Sequence, residues 1–280
     1  MKIKIMSDST CDLPKELLEK YDISIVPLTV VKNDEAFYDG VTITTDDIFA
    51  HVAAGGNLCS TAAVGVLEYQ EKFAEFADKY DAVIHINISS ELSASYQNAS
   101  LAAEEFDNVV TIDSHNLSTG QGLVVLKACE LAESIASVED IKSNLIDFTS
   151  KVESSFLIDR LDYMVKGGRC SAVAALGANL LGLKPCIEVK DGKLTVVKKY
   201  RGNYAKSLAN YVKERLANRD DLDSKYLFVA HTPIPDDCAK AVEAAVAECA
   251  DFQNIYWAKA GCTISCHCGP GTLGVLFAKK

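Results

Sequence analysis

The chain has 280 residues, of which 49% are apolar and 24% charged, and its net charge is −11. That length suits two globular domains, and the acidic balance excludes a nucleic-acid binder and any more than transient contact with an anionic membrane. No apolar run approaches the roughly 18–20 residues that span a bilayer, the charged, strand-like Met1–Asp8 does not read as a signal peptide, and the ten cysteines then read as free thiols of a reducing cytoplasm.

Ile3–Met6 reads as a strand that ends at Ser7-Asp8-Ser9-Thr10. Asp12 is expected to cap a helix opening at Pro14, a favoured first helical position. Ile23–Val26 and Leu28–Val31 continue as extended structure, a βαβ beginning that calls for a parallel sheet. Thr44–Asp47 opens a helix carrying Ile48, Phe49 and Val52 at helical spacing. A loop over Cys59–Ala63 then leads to a helix from about Val66 to Lys79. Ser60 and Thr61 stand just before it, either as simple caps or as donors to an anion.

Ala82–Ile88 is a strand running into Ser89, Ser90, Ser93 and Ser95. One cap needs one serine, so four at the end of a strand mark a place where open α/β sheets bind ligands. Val109–Asp113 is the next strand, with His115 in the solvated loop after it. A long amphipathic helix follows to about Ile135, and a capping box at Ser137–Asp140 opens another.

Phe156–Ile158 is a short strand and Leu161–Val165 a helical turn ending at Lys166-Gly167-Gly168-Arg169. This basic tip lacks the form of a phosphate-binding loop; it reads as a solvated helix end or a docking point for an anionic partner. Ser171–Leu183 is so rich in Ala, Leu, Gly and Val that a helix there should be buried all round or wall a cavity. Asp191-Gly192 turns a hairpin between Lys184–Val189 and Lys193–Val197. A helix over Tyr204–Asn218, a strand over Tyr226–His231, a helix over Pro235–Glu248 and a strand over Ile255–Ala258 follow. The pattern places a division near residues 150–159, giving 1–155 a mainly parallel sheet flanked by helices and 156–280 a second α/β domain, with a ligand cleft between them.

The stretch Gly261–Gly274 holds His267 among small polar residues and glycines, before a buried final strand at Val275–Ala278. A turn there would aim the histidine at a ligand. Gly269–Gly274 spells G-x-G-x-x-G, but no helix follows, so a dinucleotide site is rejected. Cys262, Cys266, His267 and Cys268 lack the paired spacing of a zinc site, although a thiol-rich metal or redox protein is one alternative. A hydrolase is another, with His267 as base and Ser60, Ser89, Ser90 or Ser93 as nucleophile, though no G-x-S-x-G elbow exists.

In order, Ser7–Thr10, Ser60-Thr61 with Gly65, Ser89–Gln97, Ile112–Ser114, Ser118–Gly122, Lys166–Arg169 and Ile264–Gly271 make the chain resemble the DegV family of bacterial fatty-acid-binding proteins over nearly its full length. The resemblance implies two α/β domains with a long-chain fatty acid between them and no other cofactor. Its carboxylate would meet Ser60 or Thr61, Ser93 and His267. It further implies a non-enzymatic carrier in phospholipid metabolism. A separate ATP-dependent fatty acid kinase would dock on Lys166 and Arg169 and convert the bound carboxylate to an acyl phosphate. Hydroxyls and an imidazole offset the cost of burying a carboxylate, while each buried CH2 adds about 0.8 kcal/mol.

Overall fold

A computed structural model describes the chain except for residues 135–136, 176–181 and 250. In chain order the first half runs β1 (Ile3–Asp8), α1 (Lys15–Lys20), β2 (Ser24–Val26), β3 (Thr29–Lys32), β4 (Glu35–Tyr38), α2 (Thr45–Ala53), β5 (Ser60–Ala62), α3 (Val66–Ala77), β6 (Ala82–Asn87), α4 (Ser95–Ala103), β7 (Val109–Asp113), α5 (Ser118–Ser134) and α6 (Val138–Thr149). The second half runs β8 (Val152–Leu157), α7 (Leu161–Gly167), α8 (Ser171–Ala174), β9 (Leu183–Lys190), β10 (Lys193–Arg201), α9 (Tyr204–Leu216), β11 (Leu222–His231), α10 (Asp236–Cys249), β12 (Asn254–Lys259), α11 (Cys262–Cys268) and β13 (Leu273–Lys279).

The expected parallel sheet is present in the order β2-β1-β6-β7, with every neighbouring pair parallel. All its strands therefore end on one edge, where ligands of such sheets bind. A six-stranded sheet, β10-β9-β8-β13-β11-β12, is antiparallel except for β11 with β12. A small antiparallel sheet, β4-β3-β5, stands apart from both. The division expected after residue 155 falls inside β8, which belongs whole to the six-stranded sheet.

Period-two alternation sorts the core. On β13, Leu273, Val275 and Phe277 face α9 and α10, together with Leu227 and Val229 of β11. Leu276 of β13 and Phe228 and Ala230 of β11 face the other way, into a core shared with α5 and with Ile84 and Ile86 of β6. Helix α5 is thus covered on both sides, and most of its side chains are buried. The polar face expected for it is reduced to a strip in its second half, where Lys127 and Glu130 are half-buried and Glu133 and Ser134 exposed.

Four local expectations are corrected. Asp12 does not cap α1: its backbone is left-handed at φ 49°, Pro14 stands at the helix start without a side-chain cap, and the Asp12 carboxylate accepts from Ser118 Oγ at 2.5 Å and from the Gly261 N–H at 2.9 Å. Residues 60–62 form an edge strand paired with β3 rather than a loop. Over its described residues the apolar stretch after Ser171 is not a helix buried all round. Helix α8 stops at Ala174 with only Val173 buried, and β9 has begun by Leu183; positions 176–181 lie outside the described residues. Lastly, the His267 segment is helical over Cys262–Cys268, where a turn was expected.

That last difference has an identifiable cause. Thr and Ile are modest helix formers and short helices are marginal alone. Here the cap comes from far away in sequence: the Asp39 carboxylate accepts the N–H groups of Cys262 at 2.8 Å and Thr263 at 3.0 Å. Two first-turn donors that a local sequence reading leaves unpaired are thereby satisfied.

Candidate functional site

The ends of the parallel strands meet the underside of the β9–β10 hairpin and helix α11. Between them lies a narrow apolar cleft with about 50 Å³ of cavity volume. Its apolar wall includes Leu28, Ile88, Leu92, Leu117, Phe156 and Met164, with Leu194 of the hairpin. Its polar groups are Thr61, Ser93, Arg169, Thr263 and His267.

Each wall has a reason for its position. Asp8, at the end of β1, is fully buried and accepts the Ile88 N–H at 2.9 Å and the Gln121 Nε2–H at 2.9 Å, so the loop after β6 is tied to the start of α5. Burial raises the Asp8 carboxyl above its ordinary range. The hairpin tip needs left-handed backbone at Asp191 and Gly192, at φ 49° and 77°, which the Asp-Gly pair supplies. Ser89 Oγ donates to the Gly192 carbonyl at 2.9 Å, and Lys193 pairs with Glu91 at 3.5 Å, so the tip is latched onto the first sheet's loops.

His267 lies at the junction. Its Nε2 shares a hydrogen bond of 2.7 Å with Thr61 Oγ1, across 206 residues of sequence. Its Nδ1 is buried, has no partner among the described residues, and rests against Gly167, where any Cβ would overlap the ring. Gly168 then turns the chain at φ 69°, a conformation that glycine adopts without strain. Arg169 follows at the cleft wall, its Nε donating to the Leu92 carbonyl at 3.3 Å and its Nη1 to the Gly167 carbonyl at 2.8 Å. Burial, and then the Arg169 charge, hold the His267 imidazole down at about 4, so it is neutral at pH 7.

Thr61, Ser93 and His267 therefore line one cleft. Ser93 Oγ is 2.9 Å from Ser95 Oγ and accepts the Ser95 N–H at 3.2 Å. Ser60 is exposed on the opposite side of β5 from Thr61, as strand alternation requires. Lys166 and Arg169 are both exposed on α7 and the turn after it, and Arg169 is part of the cleft wall as well.

Thr263 was missed from sequence. Once Cys262–Cys268 is a helix, Thr263 and His267 are four residues apart and share a face, a signal hidden by reading the segment as a turn. The triad geometry of a hydrolase is absent among the described residues. His267 meets a threonine, no carboxylate bonds its Nδ1, and Ser89 is engaged with Gly192. Cys262 and Cys266 pack with Cys59, Val30, Ile43 and Ile48, while Cys268 joins the apolar wall with Phe156. Among the described residues no three His, Cys, Asp or Glu side chains converge in a metal-binding arrangement, and no helix is long and apolar enough to cross a membrane.

A family model described as an uncharacterised protein of the DegV family matches residues 2–280. A DegV domain-containing protein of Clostridium acetobutylicum is 34% identical, the alignment covering 100% of this chain and 99% of that one. A solved DegV family protein of Thermus thermophilus, described by its fatty acid binding, superposes with a TM-score of 0.90 at 27% identity, covering 100% of both chains. A stearic acid-binding protein of Eubacterium ventriosum superposes with a TM-score of 0.83 at 29% identity, covering 99% of this chain and 98% of that one.

Proposed function

The chain belongs to the DegV family, and from that premise we propose that it is a carrier of a long-chain fatty acid. The carboxylate sits at Thr61, Ser93 and His267, and the tail lies among Ile88, Leu117, Phe156 and Met164. The observation that carries this reading is the Thr61–His267 pair at 2.7 Å in the wall of an apolar cleft. With the imidazole proton on Nε2, His267 donates to Thr61 Oγ1 and leaves the threonine O–H free to donate to a carboxylate, which offsets the cost of desolvating it. The tail supplies most of the affinity, at about 0.8 kcal/mol per buried CH2. Ser60, exposed on the outer side of its strand, takes no part in this site.

The carrier works in the cytoplasm and presents its carboxylate to a separate ATP-dependent fatty acid kinase, which converts it to an acyl phosphate. Two features support that role: Thr61, Ser93 and His267 are half-buried rather than sealed in the core, and exposed Lys166 beside Arg169 offers cations to an acidic partner surface. The division of labour is one of two α/β units with the lipid between them, the boundary expected after residue 155 being moved ahead of β8 so that this strand stays whole in the second unit.

Lipid-loaded protein mixed with a bacterial fatty acid kinase and ATP is expected to yield acyl phosphate, with no product when either protein is omitted. Lys166→Ala should slow the reaction several-fold while its bound lipid stays at the wild-type level. Ester hydrolysis by the protein alone, without ATP, would replace the carrier by a hydrolase. Full coupling in the lysine variant would remove Lys166 from the docking surface.

A further inference from the structure

Thr263 poses a question that the carboxylate site leaves open. Its side chain is 4% exposed, and its Oγ1 is buried with no hydrogen-bond partner among the described residues. It lines the same cleft as His267 and Phe156. Its backbone is fixed, because the N–H donates to Asp39 at 3.0 Å. A buried hydroxyl without a partner is unfavourable, and natural structures rarely retain one. A saturated acyl chain would leave this one unpaired.

We propose that the cleft is built for a fatty acid with an oxygen substituent near its carboxylate, namely a 3-hydroxy acid, and that Thr263 is the residue that selects it. This rests on the carrier reading above. Side chains four residues apart on a helix stand roughly 5–6 Å from each other. With the carboxylate held at His267 and Thr61, a hydroxyl on C3, two carbons along the chain, comes within hydrogen-bond reach of Thr263 when the chain runs along this helix face. A 3-hydroxyl both donates and accepts, as does Thr263 Oγ1, so one contact satisfies both groups in an otherwise apolar wall. A plain fatty acid in the same cleft leaves the threonine hydroxyl without a partner.

The test compares hexadecanoic acid with racemic 3-hydroxyhexadecanoic acid by calorimetric titration of the delipidated full-length protein. The wild type is expected to bind the hydroxy acid about fivefold to tenfold more tightly, the effect of one net hydrogen bond. Thr263→Val, which keeps the shape and removes the hydroxyl, should abolish that preference and bind hexadecanoic acid at least as tightly as the wild type. Thr263→Ser should keep the preference, and thermal unfolding confirms that both variants fold. Equal affinities in the wild type, a preference that survives in the valine variant, or a preference lost in the serine variant would each overturn the assignment while leaving fatty acid binding intact. Failure of the wild type to bind either acid would instead remove the carrier reading, and this inference with it.

Discussion

His267→Ala is expected to weaken fatty acid binding by about 10- to 100-fold without unfolding the protein. Hydrogen bonds to a charged group contribute about 1.5–3 kcal/mol each, and every 1.4 kcal/mol is tenfold in affinity. The imidazole acts here through the Nε2–Thr61 pair, so its loss also frees the Thr61 hydroxyl from its fixed orientation. The same variant has a signature in pH. Burial, with the Arg169 charge second, depresses the folded-state value of His267 to about 4, against about 6.5 for an unfolded histidine. Unfolding therefore takes up a proton as pH falls below about 6.5. The stability that depends on a neutral His267 is complete above that value and is lost progressively toward pH 4. Between pH 7 and pH 5 the ligand-free wild type should lose about 2 kcal/mol relative to the alanine variant. His85, held down to about 3 by burial, is present in both proteins and cancels. Denaturant unfolding at the two pH values gives the difference. Undiminished ligand affinity together with parallel pH curves would take His267 out of the site.

Asp39→Ala should be the most damaging single change outside the cleft. Asp39 is 5% exposed and accepts from Cys262, Thr263 and, at 3.1 Å, Ser9 Oγ. Removing its carboxylate strands three donors at the joint between the first half of the chain and α11. Loss of a helix cap costs about 0.5–2 kcal/mol, and each buried donor left unpaired about 1–3 kcal/mol. A fall in stability of about 3 kcal/mol is expected, together with weaker ligand binding as α11 and His267 lose their fixed position. Asp39→Asn retains one carbonyl acceptor and should recover part of both losses. A denaturant midpoint and ligand affinity equal to wild type in Asp39→Ala would show that α11 is positioned by its packing alone.

The contrast between Asp39 and the hairpin explains how much of the molecule was legible beforehand. The parallel strands, the Asp191-Gly192 turn and the capping boxes are local or periodic features, so hydrophobic alternation and turn chemistry locate them. The box read at Ser137–Asp140, for example, keeps one of its two bonds, from the Asp140 N–H to Ser137 Oγ at 3.2 Å, while Thr44, read only as a helix start, forms a reciprocal pair with Asp47. The cap of α11 is supplied across 223 residues, and no local pattern announces it. Because that helix was read as a turn, the shared face of Thr263 and His267 went unseen. Similarly, the burial of α5 follows from a second sheet covering it, which its own sequence does not encode. Thr61 and His267 were nameable as candidates through resemblance; their contact, and the outward position of Ser60, are matters of strand register and required the fold.

The most direct test of the central claim is native mass spectrometry of the protein as purified, followed by solvent extraction and identification of the lipid. The carrier reading predicts one stoichiometric adduct with the mass of a long-chain fatty acid, released on denaturation. A protein that carries no adduct, and takes up none after incubation with free fatty acids, would contradict it.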